Sequence, residues 1–477
     1  MHHSHRFNGR FVIVSGQEQC NGADDDTRRV IFLTPRRDHP IVAQKKSLSY
    51  QVVVNGKGRR GDRSFLPYQL LRSPREAMAT ENPARKRNRL LRMMRLLRRF
   101  RPSVLPVTYR HNRVILFPGG RSFFRSLHTE LRSAKRFILI EYYLIHADHT
   151  GAAFAAKLAE AVRRGVRVWV IYDYVGSIDT PSSFFEGMAR QGIELIPFNV
   201  PSFRRGMHWF DWRNHRKMAI IDGELAYLGG FNIGDEYSGL VKRSQRFRDV
   251  GFSISGSAVG ELVRNFSETW LMERGQPLPL PPAGGDADSH PRRSGQADVV
   301  IVSGGPHHSR SYIRSAFLAN IASAAEEILI ATPYFVPGPR MIRSLLRAAR
   351  RGVTVRLLLP ARSDVPLVRL LGRSYYGALL GKGIEIRELD REILHAKVML
   401  IDGERTVIGS ANLDQRSFHR NYELNSIIDD RTFGRQIRRI LLQDFRDSRR
   451  ITREGHERRG MIARLVERVI NLFGWFL

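Results

Sequence analysis

Cysteine is almost missing from this chain: Cys20 is the only one in 477 residues. That excludes an internal disulfide framework, a cysteine-ligated zinc and a paired-cysteine redox centre, and it fits a reducing compartment. No window offers about 18 uninterrupted apolar residues, so no membrane-spanning helix is expected. The start of the chain lacks a short apolar core behind a basic stretch, so no secretory signal is expected either. Lysine is scarce as well, supplying ten of the 78 basic residues, with arginine making up the rest. Acidic residues number only 46, leaving a formal net charge of +32. Such an excess favours polyanionic partners, an anionic lipid surface or nucleic acid, without choosing between them.

Against that arginine background, two lysines stand in matched phrases 180 positions apart. These are His215-x-Lys217-x4-Asp222 and His395-x-Lys397-x4-Asp402. The first runs on to Gly229-Gly230-Phe231-Asn232 and the second to Gly409-Ser410-Ala411-Asn412. One His-x-Lys could be a surface strand alternating toward solvent. A second copy with the same downstream Gly-x-x-Asn argues against that reading. Two histidines, two lysines and two asparagines are a set suited to phosphodiester chemistry. One imidazole can attack phosphorus and the other protonate the leaving oxygen, while ammonium and amide groups hold the phosphate oxygens. A compact ammonium, unlike a planar guanidinium, can also shed a proton.

The rest of the chain repeats with the motif. Phe137–Tyr143 matches Ile328–Tyr334, Arg163-Arg164-Gly165-Val166 matches Arg350-Arg351-Gly352-Val353, and Gly192-Ile193-Glu194 matches Gly383-Ile384-Glu385. Strand-like runs (114–117, 137–144, 166–172, 193–198) alternate with helix-like ones (122–134, 152–164, 184–191), and the order restarts at Val299. This is a duplicated α/β unit whose sheet carries helices on both faces. Six segments follow from the text. Residues 1–84 are a basic, weakly ordered region, dispensable if translation starts at Met78, and 85–102 a basic amphipathic helix. Residues 110–274 form the first repeat, 275–298 a Pro/Gly-rich linker, 299–455 the second repeat, and 461–477 an amphipathic C-terminal helix. Nine of the seventeen residues from Arg85 to Arg101 are basic, with Leu90, Leu91, Met94, Leu97 and Phe100 between them. That pattern suits an anionic bilayer surface, and an RNA-binding arm is the competing reading. For 461–477, packing on the protein and lying in a lipid interface both fit.

These motifs resemble the phospholipase D superfamily, and within it the bacterial cardiolipin synthases. The resemblance covers residues 110–455 and rests on the doubled motif. It rests also on Gly229-Gly230-Phe231-Asn232-Ile233-Gly234-Asp235-Glu236-Tyr237, on Pro333-Tyr334-Phe335-Val336-Pro337 and on Gly409-Ser410-Ala411-Asn412-Leu413-Asp414-Gln415-Arg416-Ser417. Many relatives carry two spanning helices at the front, and this sequence shows none. The resemblance implies a duplicated α/β/α sandwich, its two repeats packed about a pseudo-two-fold axis with the site at their interface. It implies phosphatidyl transfer through a phosphohistidine, with phosphatidylglycerol giving cardiolipin and glycerol. His215 would be the nucleophile and His395 the acid and base. Lys217 and Lys397 would hold phosphate, with Asn232, Asn412 and Ser410 as neutral donors. The family takes its histidine-orienting carboxylates from a later strand, which points to Asp249, 34 residues after His215, and Glu423, 28 after His395. Asp222 and Asp402 stand in the family's catalytic lists, although their place suits tying the turn after the motif strand.

No cofactor is expected, and no His/Asp/Glu cluster at metal spacing appears, so the reaction is expected to need no metal. The expected partners are a phospholipid substrate and an anionic membrane surface, at the cell membrane, peripheral on the cytoplasmic side. Nucleic acid is the less favoured partner. The competing functions are a phospholipase D-type hydrolase and a nuclease or other nucleic-acid phosphodiesterase on the same scaffold.

Overall fold

A computed structural model of the chain describes residues 13–14, 31–32, 107–201, 211–242, 246–281, 295–306 and 311–458. The expected helices at 85–102 and 461–477 lie outside the described residues, as do nearly all of 1–84 and the middle of the linker. The chain divides into two units, Met1–Thr80 and Glu81–Leu477. In the first, Ile13–Val14 pairs antiparallel with Ile31–Phe32.

The second unit is built on apolar strands buried on both faces. All six residues of Phe137–Tyr142 are buried, as are all five of Lys217–Ile221 and all four of Val398–Ile401. Strands without a wet face need helices on each side. In chain order the first repeat runs β1 (Thr108–Phe117), α1 (Gly120–Ser133), β2 (Phe137–Tyr142), α2 (His149–Arg163), β3 (Arg167–Asp173), α3 (Ser182–Arg190) and β4 (Glu194–Phe198). It continues with β5 (Lys217–Ile221), β6 (Leu225–Gly229), the short α4 (Asp235–Ser238), β7 (Phe247–Arg248), β8 (Gly251–Ser255) and α5 (Ala258–Arg274). The second repeat runs β9 (Ala297–Gly304), α6 (Tyr312–Ser323), β10 (Glu327–Ala331), β11 (Phe335–Val336), α7 (Gly338–Arg350), β12 (Thr354–Pro360), α8 (Pro366–Ser374), α9 (Tyr376–Leu380) and β13 (Glu385–Leu389). Then come β14 (Ile393–Leu394), β15 (Val398–Ile401), β16 (Arg405–Gly409), β17 (Leu413–Asp414), α10 (Gln415–His419), β18 (Glu423–Asp429), α11 (Arg431–Arg446), β19 (Arg449–Ile451) and α12 (Arg453–Glu457).

The two repeats share one sheet of 15 strands, ordered β19-β13-β12-β10-β15-β16-β18-β9-β1-β8-β6-β5-β2-β3-β4. Reading outward from the β9–β1 seam, β18-β16-β15-β10-β12-β13 mirrors β8-β6-β5-β2-β3-β4, which is the pseudo-two-fold the sequence repeat implied. The seam is antiparallel, with Val299 opposite Tyr109 and Ala297 opposite Asn112. This explains why β1 begins at Thr108 and not near 114: its first residues pair with the other repeat, and a local pattern carries no trace of that.

Helices α5 and α11 cover one face. Leu262, Phe266 and Trp270 from α5 share a core cluster with Phe433, Ile437, Leu441 and Phe445 from α11. On the other face each repeat has its own cluster, around Phe123, Phe124, Leu127, Phe154 and Leu158 in the first. In the second, Phe317, Ile321, Met341, Leu345 and Leu379 play the same part. Each fully buried Leu or Phe contributes about 1.5–3 kcal/mol of transfer free energy. The duplicated α/β architecture is the one expected.

Strand polarity fixes where chemistry can happen. β2, β3 and β4 run parallel, and β5 lies antiparallel to β2 with Lys217 opposite Tyr142. The motif histidine therefore sits at the edge where β2–β4 end. In the second repeat Val398 lies opposite Ala331, at the end of β10, which sets His395 on the corresponding edge.

Candidate active site

Asp222 and Asp402 show what the last letter of the motif does. Each is the first residue past its strand, with φ of +55° and +50°, followed by Gly223 and Gly403, also left-handed. Two left-handed residues in a row turn the chain directly back into the next strand, and Asp-Gly suits them. Glu224 N donates to Ile221 O at 3.0 Å and Glu404 N to Ile401 O at 3.1 Å, closing the two turns. The Asp222 carboxylate accepts from the amides of Lys135, Arg136 and Phe137, and that of Asp402 from Ala325, Glu326 and Glu327. Both aspartates thus clamp the start of the neighbouring strand at the end of the motif strand opposite the histidine. Their place is structural, and they are not gathered with the histidines.

The histidines meet across the two repeats. Asn214 forms a parallel bridge with Tyr422, His215 N donates to Tyr422 O at 2.9 Å, and Tyr422 N donates to Arg213 O at 2.8 Å. Around the other histidine β14 pairs with β7, Ile393 opposite Phe247 and Leu394 opposite Arg248, and His395 N donates to Arg248 O at 2.9 Å. These crossings exchange the carboxylates. Glu423 follows His395 in sequence, yet both its oxygens lie 3.0 Å from His215 Nδ1. Asp249 follows His215, yet its Oδ2 lies 2.5 Å from His395 Nδ1. With Nδ1–H donated to a carboxylate, each ring presents Nε2 as the free nitrogen. The histidine side chains are 13% and 9% exposed and the carboxylates fully buried.

Ser410 is displaced from its expected part. Its hydroxyl donates to Glu423 Oε2 at 2.5 Å and accepts from Leu424 N at 2.9 Å, so it braces the carboxylate behind His215 instead of facing a phosphate. Asn421 Nδ2 adds a bond to Glu423 Oε1 at 3.2 Å. The counterpart of Ser410 is Gly230, where a Cβ would fall on the Asp249 carboxylate. Asp249 takes the amide of Val250 at 2.8 Å. Asn232 and Asn412 are buried, each with a side-chain oxygen that has no hydrogen-bond partner.

Lys217 donates to the carbonyl of His215 at 2.8 Å, and Lys397 donates to the carbonyl of His395. Burial pushes the Lys217 ammonium down to about 7, and Lys397 is lowered for the same reason. Burial, with both lysines adding to it, holds His215 below its usual range and His395 well below. Burial pushes the Asp249 carboxyl up to about 6. Burial acts the same way on Glu423, but His215, Lys217 and Ser410 together outweigh it and hold that carboxyl below its usual value. An anion arriving beside these groups would raise the proton affinity of both lysines and both histidines.

Several contributors lie outside the set of site residues expected from the sequence. The Tyr143 ring lies 5.2 Å from that of His215, with Lys217 Nζ 5.3 Å from its centre. Tyr237 and Phe247 stack on each other and lie 5.3 and 5.1 Å from His395. Asp173 takes Arg213 Nη1 at 3.0 Å and the amide of Asn214 at 2.7 Å, and Glu141 takes Asn214 Nδ2 at 2.6 Å, fixing the approach to His215. An acidic residue between two apolar strand positions, as in Ile140-Glu141-Tyr142, is the signal that could have flagged Glu141. Among the described residues no group of three or more His, Cys, Asp or Glu side chains is placed to hold a metal ion.

Four large apolar side chains stand exposed at this same edge of the sheet, three on loops and Leu367 in the first turn of α8. Ile178 (62% exposed) follows β3, Val200 (36%) follows β4, and Val365 (37%) and Leu367 (42%) follow β12. β3 and β12 are pseudo-symmetry mates, so the site is flanked by apolar tips from both repeats.

The arrangement matches known proteins. The family described as "Cardiolipin synthase, PLD-like domain" matches residues 127–270 and 317–445. A cardiolipin synthase of Geobacillus kaustophilus is 37% identical over 356 residues, covering 74% of this chain and 70% of that protein. Cardiolipin synthase A of Pseudomonas syringae pv. syringae is 33% identical over 369 residues, 76% and 75% of the two chains. Among solved structures, phosphatidylserine synthase of Haemophilus influenzae Rd KW20 aligns with a TM-score of 0.61 at 12% identity, over 81% of this chain and all of that one, a likeness of fold. The chain belongs to the cardiolipin synthase branch of the phospholipase D-like proteins.

Proposed function

We propose that the chain is a phosphatidyltransferase of the cardiolipin synthase type, working through a phosphohistidine, with phosphatidylglycerol as donor and acceptor. The observation that carries it is the pair of buried imidazoles, each tied at Nδ1 to a carboxylate of the other repeat and free at Nε2. Both rings are held neutral in the free site, so either is fit to attack. The resemblance gives the attack to His215. Its Nε2 lone pair forms the bond to phosphorus, the bond from phosphorus to the glycerol oxygen breaks, and His395 Nε2–H delivers the proton to that oxygen. An acceptor hydroxyl then gives its proton to His395 and attacks phosphorus, and the P–N bond breaks back to His215. Lys217 and Lys397, with Asn232 and Asn412, would meet the charge that grows on the equatorial oxygens. The anion itself restores the proton that His395 needs as an acid, because it offsets the two ammonium groups.

Membrane association is peripheral in this reading. Among the described residues no helix is long and apolar enough to cross a membrane. The exposed aliphatic tips around the site favour a lipid interface over a nucleic-acid backbone, which would call for cations there. The cytoplasmic side remains part of the proposal, because the substrate lipid is accessible there to a chain that depends on basic segments.

The test is purified chain with acyl-labelled phosphatidylglycerol in mixed vesicles, after dialysis against a strong chelator. Cardiolipin and glycerol in equal amounts are expected. Phosphatidic acid alone would make it a hydrolase, and cleavage of DNA or RNA without lipid turnover would place it among the nucleases.

A further inference from the structure

A two-fold site that joins unlike partners has to break its own symmetry somewhere, and it does so around two tyrosines. Tyr143 and Tyr334 are equivalent in the repeat, each just past the strand that lies beside a motif strand. In the first repeat the loop after β3 closes on Tyr143: a Cβ at Gly176 would collide with the Tyr143 carbonyl and ring, and Ser177 Oγ reaches that carbonyl at 3.4 Å. In the second repeat the corresponding loop, after β12, presents an acid. Tyr334 donates its hydroxyl to Asp364 Oδ2 at 2.6 Å, and Asp364 is exposed.

Asp364 faces both half-sites. Its charge bears on His395 and Lys397 of its own repeat and on Tyr143 and Tyr237 of the other. A carboxylate at the mouth of a site for a phosphodiester opposes the substrate's charge, so its place calls for another reason. Carboxylate oxygens accept hydrogen bonds, up to about four in all. Tyr334 takes one of these places and Ser363 Oγ, at 3.3 Å from Oδ1, takes another. The remaining lone pairs of this exposed carboxylate are left for a further donor.

We propose that Asp364, oriented by Tyr334, is the subsite that receives the non-reacting hydroxyl of a polyol acceptor. This rests on the phosphatidyl-transfer reading above and adds to it the residue that chooses between acceptors. The phosphorylated histidine can be relieved by water or by an alcohol, and water is always present. A head group with two hydroxyls can place one on Asp364 and so bring the other to phosphorus beside His395, which takes its proton. Ethanol, with one hydroxyl, has nothing to offer Asp364.

The experiment uses the full chain, acyl-labelled phosphatidylglycerol in mixed micelles, and a fixed concentration of ethanol. Cardiolipin, phosphatidylethanol and phosphatidic acid are measured together. In Asp364→Ala the ratio of cardiolipin to phosphatidic acid should fall about tenfold, the scale of one hydrogen bond to a charged group. The ratio of phosphatidylethanol to phosphatidic acid should stay as in wild type. Tyr334→Phe, which frees Asp364 without removing it, should shift the first ratio the same way by less. If neither ratio moves in Asp364→Ala, or both fall together, the subsite is overturned while phosphatidyl transfer stands. A wild-type chain that releases head group from no phospholipid would overturn the transfer reading itself.

Discussion

Glu423, from the second repeat, holds His215 of the first, with both carboxylate oxygens 3.0 Å from Nδ1. Asp249 returns the arrangement to His395. Neither repeat contains a complete histidine–carboxylate pair, so each half-site depends on docking of the other.

Neutralising either carboxylate should damage catalysis more than binding. Glu423→Gln and Asp249→Asn keep the shape but let the ring present the wrong nitrogen. A fall in kcat of about 10²–10⁴-fold is expected, with KM little changed, the scale known when an orienting acid or a general base is lost. Steady-state kinetics on micellar substrate check this. A variant that keeps a tenth of wild-type kcat would show that the carboxylate does not set the tautomer.

His215→Ala and His395→Ala should each fall at least about a hundredfold, because each ring has a task the other cannot take over. Rapid quenching with labelled donor separates the tasks: His215→Ala should trap no covalent label, whereas His395→Ala should still acquire some. Label retained in His215→Ala and lost in His395→Ala would reverse the assignment of the nucleophile.

The pH profile follows from two shifted groups. Asp249, raised to about 6, must be ionised to hold His395, so kcat/KM should fall as pH drops through about 6. Lys217, lowered to about 7, loses its charge in the free enzyme as pH rises through about 7, giving the alkaline limb. Lys217→Arg keeps its charge at all these pH values. It should therefore lose the alkaline limb, whatever it costs in rate. An unchanged limb in that variant would assign the titration to another group.

Gly230→Ala should be worse than Ser410→Ala. The first sets a methyl group where the Asp249 carboxylate lies, and the second removes one hydroxyl from Glu423. Losses of more than about a hundredfold and of roughly tenfold are expected, the latter being the scale of a hydrogen bond to a charged group. Thermal unfolding of both variants distinguishes a damaged site from a damaged fold.

The rim can be tested apart from the chemistry. Ile178→Asp with Leu367→Asp should weaken sedimentation with anionic vesicles and activity on them, while leaving turnover of micellar substrate near wild type. Equal activity on vesicles would show that these tips do not meet the bilayer.

The amino-acid sequence alone determined the reacting groups and the duplicated α/β frame. Histidine, lysine and asparagine at fixed spacing declare phosphodiester chemistry wherever they fold, and a run such as Phe137–Tyr142 declares a strand through its own side chains. Tertiary structure decided the rest. Which carboxylate serves which histidine depends on the register of β14 against β7 and on the bridge of Asn214 to Tyr422, contacts between residues 146 and 208 positions apart. The family resemblance implies Ser410 as a neutral donor to phosphate. The fold instead brings Glu423 within 2.5 Å, and a buried carboxylate competes for the donor. Asp364 has no motif around it. It gained a place at the site only because the loop after β12 ends over Tyr334 at the edge where the two repeats meet.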